Sequence, residues 1–172
     1  AAPPLDDARV REALSLAIDR QTIVDTLLHG LATPKGTMAG PYDFGYLDVP
    51  VPAYDPARAK ALLAEAGYPD GFEIKVQAPS RYISSDQVAQ AIAQEWGEIG
   101  VQVDLEIPEW SVYTQQVPAG EQAPVYMLAW GSTQTLDADA ALFAILHSGE
   151  PYSNFSSPEL DRLLDDSRSQ IE

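Results

Sequence analysis

The sequence contains no cysteine among its 172 residues. This absence excludes disulfide bonds, thiolate metal sites and a cysteine nucleophile. Basic residues are also scarce, since 10 Lys and Arg stand against 26 Asp and Glu, for a net charge of −16. Nucleic acids and anionic membrane surfaces attract clustered basic residues, so the sequence predicts neither as a partner.

Long apolar runs are missing as well. No stretch approaches the roughly 20 apolar residues that a membrane-spanning helix requires, so we expect no direct membrane span. The opening segment AAPPLDDARV has neither the basic start nor the apolar stretch of a signal peptide. We therefore expect either a cytosolic chain or one whose beginning has been removed.

Common catalytic and nucleotide-binding motifs are absent too. The sequence has no G-x-x-x-x-G-K-[ST], G-x-G-x-x-G, G-x-S-x-G or H-E-x-x-H segment. Its two histidines, His29 and His147, each follow an apolar helix pattern. A histidine at a helix C-terminus is stabilised by the helix dipole, so capping is a better interpretation than metal binding. The sequence predicts neither a metal nor a cofactor.

Carboxylates are the one plentiful kind of reactive group. Paired carboxylates can hydrolyse glycosides, which keeps a carboxylate-based glycoside hydrolase as an alternative function. However, Asp104 and Glu106 alternate with apolar residues and should face solvent, while Asp137 and Asp139 lie where a helix start attracts anions. The hydrolase would need Asp104 or Glu106 in a cleft. A second alternative is a docking or sensor module without a small ligand, which a flat surface would favour.

Strand and helix patterns alternate along the chain. Apolar periodicity predicts a first helix in DDARVREALSLAIDRQTIVDTLLHG, which Asp19 divides, and a third helix in SSDQVAQAIAQEWGEIG. Between them a second helix is predicted in YDPARAKALLAEAGYPDGF, with Asp55 as its N-cap and Pro56 at its first position. Three segments predict strands: FEIKVQA, VQVDLEI and VYMLAW. The fold class is therefore α/β, a layered and mixed, partly parallel sheet flanked by helices. Residues 31–54, rich in Gly and Pro, form a long loop whose aromatics should pack onto other residues.

Aromatic or polar side chains follow each predicted strand. Ligands of such sheets bind outside the carboxyl ends of the strands, and pockets are commonly lined by aromatic side chains. The residues alone leave ligand contact and ordinary packing as equal alternatives at these positions, whereas Trp96 falls within a helix pattern and should be core. The candidate ligand-binding residues are Arg81, Tyr82, Trp110, Trp130, Gly131, Ser132 and Thr133.

Five segments resemble, in order, the family 5 extracellular solute-binding proteins, the peptide, oligopeptide and nickel-type binding components of ATP-binding-cassette (ABC) importers. The resemblance runs from about Pro4 to Arg168. The segments are VREALSLAIDRQTIV, YDPARAKALLAEAGYPDGFEI, AQAIAQEWGEIGVQVDLEIPEW, the strand ending in Trp130, and YSNFSSPELDRLLDDSR.

The resemblance implies that residues 1–172 form a single α/β lobe of a type II periplasmic-binding-protein-like fold, the later lobe of a longer, two-lobed chain. It implies a periplasmic or extracytoplasmic protein that captures a small or peptide-like solute, works with ABC permease subunits and performs no catalysis. It also implies that Arg11 and an Asp19–Arg20 pair are structural.

Ligand contacts carried over from the family fall on Arg81 and Tyr82, and on Trp130 with the residues after it. In the peptide binders, the residue three beyond that tryptophan is an aspartate that pairs with the amino terminus of the peptide. Thr133 stands at this position. Because a hydroxyl cannot neutralise a buried ammonium group, the resemblance leaves the identity of the ligand open.

Overall fold

The computed structural model describes residues 2–131, 135–154 and 156–169. The chain divides into two compact units. The first comprises residues 1–34, 51–113 and 122–128, and the second comprises residues 35–50, 114–121 and 129–172. No helix among the described residues is long and apolar enough to cross a membrane.

The first unit is a small parallel sheet with helices. Strand β1 pairs with both other strands in parallel, so the described order is β2-β1-β3. The predicted α/β sheet flanked by helices is confirmed, and both of its described pairings are parallel. The elements are α1 (Ala8–Leu16), α2 (Arg20–Leu27), α3 (Pro56–Glu65), β1 (Phe72–Gln77), α4 (Ser85–Glu98), β2 (Val101–Glu106) and β3 (Val125–Tyr126).

Asp19 divides the first helix pattern into α1 and α2, as the sequence predicts. Its carboxylate accepts hydrogen bonds from the backbone N–H of Thr22 (3.0 Å) and from the Thr22 hydroxyl (2.7 Å), which caps α2. Arg20 donates instead to the carbonyls of Ser15 (2.9 Å) and Ile18 (3.3 Å). Both residues are structural, as predicted. Among the described contacts, however, Asp19 and Arg20 do not bind each other, so the predicted Asp19–Arg20 pair is wrong.

The core of the first unit lies where α1, α3 and α4 cover β1 and β2. The Trp96 indole is 5% exposed and its Nε1 donates a hydrogen bond to the Leu14 carbonyl, 2.9 Å away. This contact ties α4 to α1 and confirms Trp96 as a core residue. The other buried members of this core are Val10, Ala13, Leu14, Ala17, Ala59, Leu62, Leu63, Ile74, Val76, Ile99 and Val101.

Two glycines allow β1 and β2 to begin side by side. Gly71 has φ of 78° and Gly100 has φ of 93°, which is the left-handed region that side chains disfavour. A Cβ placed on Gly71 would overlap the backbone of Gly100. The close approach sets the register in which Phe72 lies opposite Val101.

A buried amide joins all three strands at their carboxyl ends. The Gln77 side chain donates from Nε2 to the Glu106 carboxylate (2.9 Å) and accepts at Oε1 from the Ala123 N–H (2.9 Å). Its backbone carbonyl accepts from the Met127 N–H (2.8 Å). Gln77 is 4% exposed, and every one of these bonds satisfies a polar group that would be costly to bury alone.

The third strand is shorter than the sequence predicts. VYMLAW, residues 125–130, reads as one strand, but β3 ends at Tyr126, the partner of Gln77. Gln77 is the last residue of β1, and two residues later Pro79 lacks a backbone N–H. Beyond Tyr126, β1 therefore offers only its last carbonyl, that of Gln77, which accepts from the Met127 N–H.

The second unit contains two helices, α6 (Asp139–Leu146) and α7 (Pro158–Ser169), and the end of α5 (Trp110–Ala119), which begins in the first unit. The Arg168 guanidinium lies over the Phe143 ring, 3.2 Å from its centroid, and binds the Asp139 carboxylate (2.8 Å). These contacts connect α6 and α7 through one cation.

Two of the three aromatics of the long loop do not pack as predicted, whereas Tyr46 is partly buried. Tyr42 is 86% exposed and Phe44 is 81% exposed. The loop is held through its backbone instead, because the Phe44 N–H donates to the Leu136 carbonyl (2.7 Å) and the Phe44 carbonyl accepts from the Ala138 N–H (3.0 Å). Apolar composition alone therefore misled the prediction for these side chains.

Candidate functional site

Tyr82 and Trp110 lie together at the carboxyl ends of β1 and β2. Tyr82 follows β1 and Trp110 opens α5 just after β2. Their rings meet edge to face, with centroids 5.6 Å apart and planes at 77°. The parallel pairing of the two strands explains the contact, since parallel strands end at the same edge of a sheet. The structure thus brings together two of the predicted ligand-binding residues.

The buried Tyr113 ring packs against Trp110 and supports this aromatic pair. It is 1% exposed and stacks on Trp110, with ring centroids 6.1 Å apart. Its hydroxyl donates a 2.6 Å hydrogen bond to the Met127 carbonyl, and burial raises the pKa of Tyr113 above its ordinary value. Trp110 itself is 38% exposed. One face of the indole is therefore supported by protein while part of the ring reaches solvent.

Arg81 directly precedes Tyr82 in the chain and is exposed. The other six arginines each bind an oxygen of a carboxylate, carbonyl or hydroxyl group. Among the described residues Arg81 has no hydrogen-bonding or ion-pairing partner, and neither do the Tyr82 hydroxyl and the Trp110 indole N–H. Arg81 is thus the one arginine without such a partner in the described part of a chain that has an excess of carboxylates. It is chemically suited to an anionic or carbonyl-bearing ligand.

Ser85 shapes the loop that presents Arg81 and Tyr82. Its buried hydroxyl contacts the Pro79 carbonyl at short distance and lies 3.1 Å from the Tyr82 carbonyl, and its N–H donates to that same carbonyl. Ser84, beside it, has φ of 54° and makes no capping hydrogen bond with its side chain. Ser85 thus holds the loop at both Pro79 and Tyr82. The sequence patterns did not reveal this role of Ser85.

We expect Ser85→Ala to lower the free energy of unfolding by about 1–3 kcal/mol, because a buried carbonyl of the loop loses its hydroxyl partner. Denaturant unfolding followed by tryptophan fluorescence measures the change. Ser84→Ala is the matched control, and we expect it to shift stability by less than about 0.5 kcal/mol. Equal effects of the two substitutions would contradict the assigned role of Ser85.

Trp130 lies in the second unit. The indole is 38% exposed and packs edge to face on Tyr152, with centroids 5.2 Å apart. Gly131 follows it in the described chain, whereas Ser132 and Thr133 lie outside the described residues. The ligand-binding assignment of these four residues therefore stays a prediction from the sequence.

The carboxylates of β2 do not suit the hydrolase alternative. The Lys75 ammonium binds Glu106 (2.6 Å) and lies 3.7 Å from Asp104. Hydrogen bonds from Lys75 and Gln77 hold the pKa of Glu106 below its ordinary value, so Glu106 is ionised and poorly suited to donate a proton. In the second unit, Asp139 is bound by Arg168.

Neither histidine belongs to a cluster that could hold a metal ion among the described residues. Within the described ranges no group of three or more His, Cys, Asp or Glu residues is placed to hold a metal ion. His147 ends α6, stacks on Phe143 with centroids 4.3 Å apart, and has Nε2 3.5 Å from the Asp165 carboxylate. His29 has φ of 53° just after α2, so it follows the helix as predicted.

Comparison with known proteins assigns the chain to a family. Residues 1–153 match the bacterial extracellular solute-binding proteins, family 5 Middle. The chain belongs to this family. The family 5 resemblance inferred from the sequence segments is thereby confirmed.

Relatives of this family 5 chain are recognisable over nearly its whole length. It is 31% identical to the dipeptide-binding protein of Escherichia coli over 96% of the chain and 32% of that protein. It is 32% identical to heme-binding protein A of Haemophilus influenzae over 95% of the chain and 31% of that protein. The chain thus spans about a third of the length of the curated relatives it matches.

A solved structure supports the type II periplasmic-binding-protein fold. The dipeptide binding protein of Pseudoalteromonas sp. SM9913, in complex with Met-Leu, superimposes with a TM-score of 0.90 at 27% identity. The match covers 99% of the family 5 chain and 35% of the other protein. The predicted fold class is therefore confirmed at the level of the described backbone.

Proposed function

We propose that this chain is the substrate-capturing lobe of a solute-binding protein that serves an ABC importer. The lobe acts by binding, with no catalysis of its own, in the periplasm or another extracytoplasmic compartment. Membership of the family 5 solute-binding proteins supports the class of function. In such proteins, lobe closure over a solute provides the signal that a permease recognises.

The observation that carries the proposal is that Arg81 has no hydrogen-bonding or ion-pairing partner among the described residues and directly precedes Tyr82, whose ring contacts Trp110. A guanidinium with no partner in an acidic chain is available to an external oxyanion, most favourably a carboxylate bound by two parallel hydrogen bonds. The Trp110 indole, which contacts the Tyr82 ring, offers a flat apolar surface, while Tyr113 restricts the motion of the indole and Ser85 that of the loop. The ligand we infer carries both an anionic group and an apolar or planar part.

Trp130, Gly131, Ser132 and Thr133 are proposed as further ligand contacts on the basis of the sequence. Trp130 would line the binding site or stack on the ligand, and the small residues after it would donate hydrogen bonds. Thr133 would not neutralise an ammonium group, since its hydroxyl carries no charge. We therefore expect weak recognition of peptides whose free amino terminus must be paired. Peptide-like compounds without that requirement, and other polar solutes, fit better.

The test begins with the ligand released from the purified full-length protein and identified by mass spectrometry. Calorimetry with that compound then compares the parent protein with Arg81→Ala, Trp130→Ala and the double variant. We expect Arg81→Ala to weaken binding by about 10- to 100-fold, the loss for one hydrogen bond to a charged group.

Arg58→Ala is the matched control. Arg58 is an exposed arginine whose guanidinium already binds Glu65 (2.8 Å), so its removal should leave affinity unchanged. If the double variant binds the identified ligand as tightly as the parent protein, the assignment of these residues is wrong. If no small compound accompanies the protein and none binds, a ligand-free docking module replaces solute capture.

A further inference from the structure

The chain leaves the sheet of the first unit at Met127, the residue that follows β3. Its N–H donates to the Gln77 carbonyl (2.8 Å), and its own carbonyl accepts from the Tyr113 hydroxyl (2.6 Å). The first bond extends the pairing of β1 with β3, whereas the second comes from a side chain of α5. Tyr113 therefore contributes to the direction in which the chain leaves the sheet.

Tyr113 also contacts the aromatic pair at the carboxyl ends of β1 and β2. Its ring stacks on Trp110, which in turn contacts Tyr82. Its hydroxyl holds Met127, and Trp130 follows Met127 by three residues in the chain. One side chain thus serves two groups of proposed ligand contacts, and it does so through different atoms.

The surroundings of the phenol keep its hydroxyl available as a donor. Tyr113 is 1% exposed, and burial raises the pKa of Tyr113 above its ordinary value. The hydroxyl therefore keeps its proton at neutral pH and can donate to the Met127 carbonyl. A phenylalanine in its place would retain the ring that supports Trp110 and would leave that carbonyl without this donor. The two contacts can thus be separated by removing a single oxygen atom.

We propose that Tyr113 is a positioning residue for solute binding, whose hydroxyl orients the segment that leads from Met127 to Trp130 while its ring separately supports Trp110. Because Tyr113 is buried, it acts through these residues and not by touching the solute. The inference rests on the proposed function, since both tryptophans must contact the solute. A residue that only fills space would affect both tryptophans alike, which distinguishes the two roles.

Hydrogen–deuterium exchange in the full-length protein tests the first step and requires no ligand. Mass spectrometry of peptides that cover residues 125–130 compares the parent protein with Tyr113→Phe. We expect exchange in this segment to become about tenfold faster, as for the loss of one hydrogen bond. Tyr68→Phe is the matched control, because the Tyr68 ring contacts Phe72 and the described residues offer its hydroxyl no partner. It should leave the exchange of residues 125–130 unchanged.

A double-mutant cycle tests the second step. Calorimetry uses the compound that mass spectrometry identifies in the purified full-length protein, and it measures Trp110→Ala and Trp130→Ala in the parent and in Tyr113→Phe. We expect Trp110→Ala to weaken binding by about tenfold in both backgrounds. Trp130→Ala should weaken binding by about tenfold in the parent and by less than about threefold in Tyr113→Phe, because the indole is no longer held in place.

Replacement of Tyr113 by p-aminophenylalanine provides the rescue. Its amino group restores an N–H donor to the Met127 carbonyl, so exchange and the effect of Trp130→Ala should return towards their parent values. Unchanged exchange in Tyr113→Phe would overturn the proposal, as would equal reductions in the effects of Trp110→Ala and Trp130→Ala. If neither tryptophan variant weakens binding in the parent, or no compound accompanies the protein, the proposed function itself is wrong and this inference is wrong with it.

Discussion

Gly71→Ala should destabilise the protein by about 3–5 kcal/mol, because it combines a left-handed backbone with a steric overlap. Gly71 has φ of 78°, and an added Cβ would meet the backbone of Gly100. Backbone atoms at the start of β2 cannot rotate away as a flexible side chain can. The β1 and β2 strands would have to separate where the register begins, and equilibrium denaturation measures the cost.

Gly67→Ala is the control that measures the cost of a left-handed backbone without a steric overlap. Gly67 has φ of 95°, but an added Cβ there would have no atom within 4 Å. We expect a loss of about 1–2 kcal/mol from the unfavourable dihedral angle only. The difference between the two variants measures the overlap. If both substitutions cost the same, the close approach of Gly71 and Gly100 is not what positions the strands.

Trp96→Ala should lower the free energy of unfolding by about 3–5 kcal/mol, the range for large aromatic truncations in a core. The substitution empties a space between α4, α1 and the sheet, and it removes the hydrogen bond to the Leu14 carbonyl. Thermal unfolding followed by circular dichroism should show a midpoint lower by roughly 10 °C. Trp96→Phe keeps most of the side-chain volume and should therefore lower the free energy of unfolding by less than Trp96→Ala does.

Trp110→Ala provides the contrasting case within the same unit. Trp110 is 38% exposed and contacts Tyr82 and Tyr113, so we expect a stability loss of about 1 kcal/mol from the lost aromatic contacts. Ligand affinity should fall instead. A loss of stability as large as that of Trp96→Ala would show that Trp110 is mainly a packing residue.

The helix boundaries were largely predictable because their signals are local. Asp55 and Pro56 predicted the start of α3, and Asp55 does accept a hydrogen bond from the Arg58 N–H (2.8 Å). The extent of β3 was not predictable in the same way. Its length depends on how far β1 runs alongside it, and this is a property of pairing between segments distant in sequence.

The candidate site was predictable in part. Residues that follow parallel strands must meet at one edge, so the proximity of Tyr82 and Trp110 could be inferred from the strand pattern. The supporting roles of Tyr113 and Ser85 depend on which carbonyl each hydroxyl reaches. A tyrosine in a helix pattern and a serine at a helix start carry no signal of such partners, so the sequence did not distinguish them.

The amide of Gln77 has a consequence for how the carboxyl-terminal edge of the sheet responds to acid and salt. Acid that protonates Glu106 removes its attraction to Lys75, and concentrated salt screens the same pair. The bond between the Gln77 side chain and the Ala123 N–H involves no ionised group. The bond between Gln77 and Ala123 should therefore persist through changes in acidity and salt concentration that weaken the ion pair between Lys75 and Glu106.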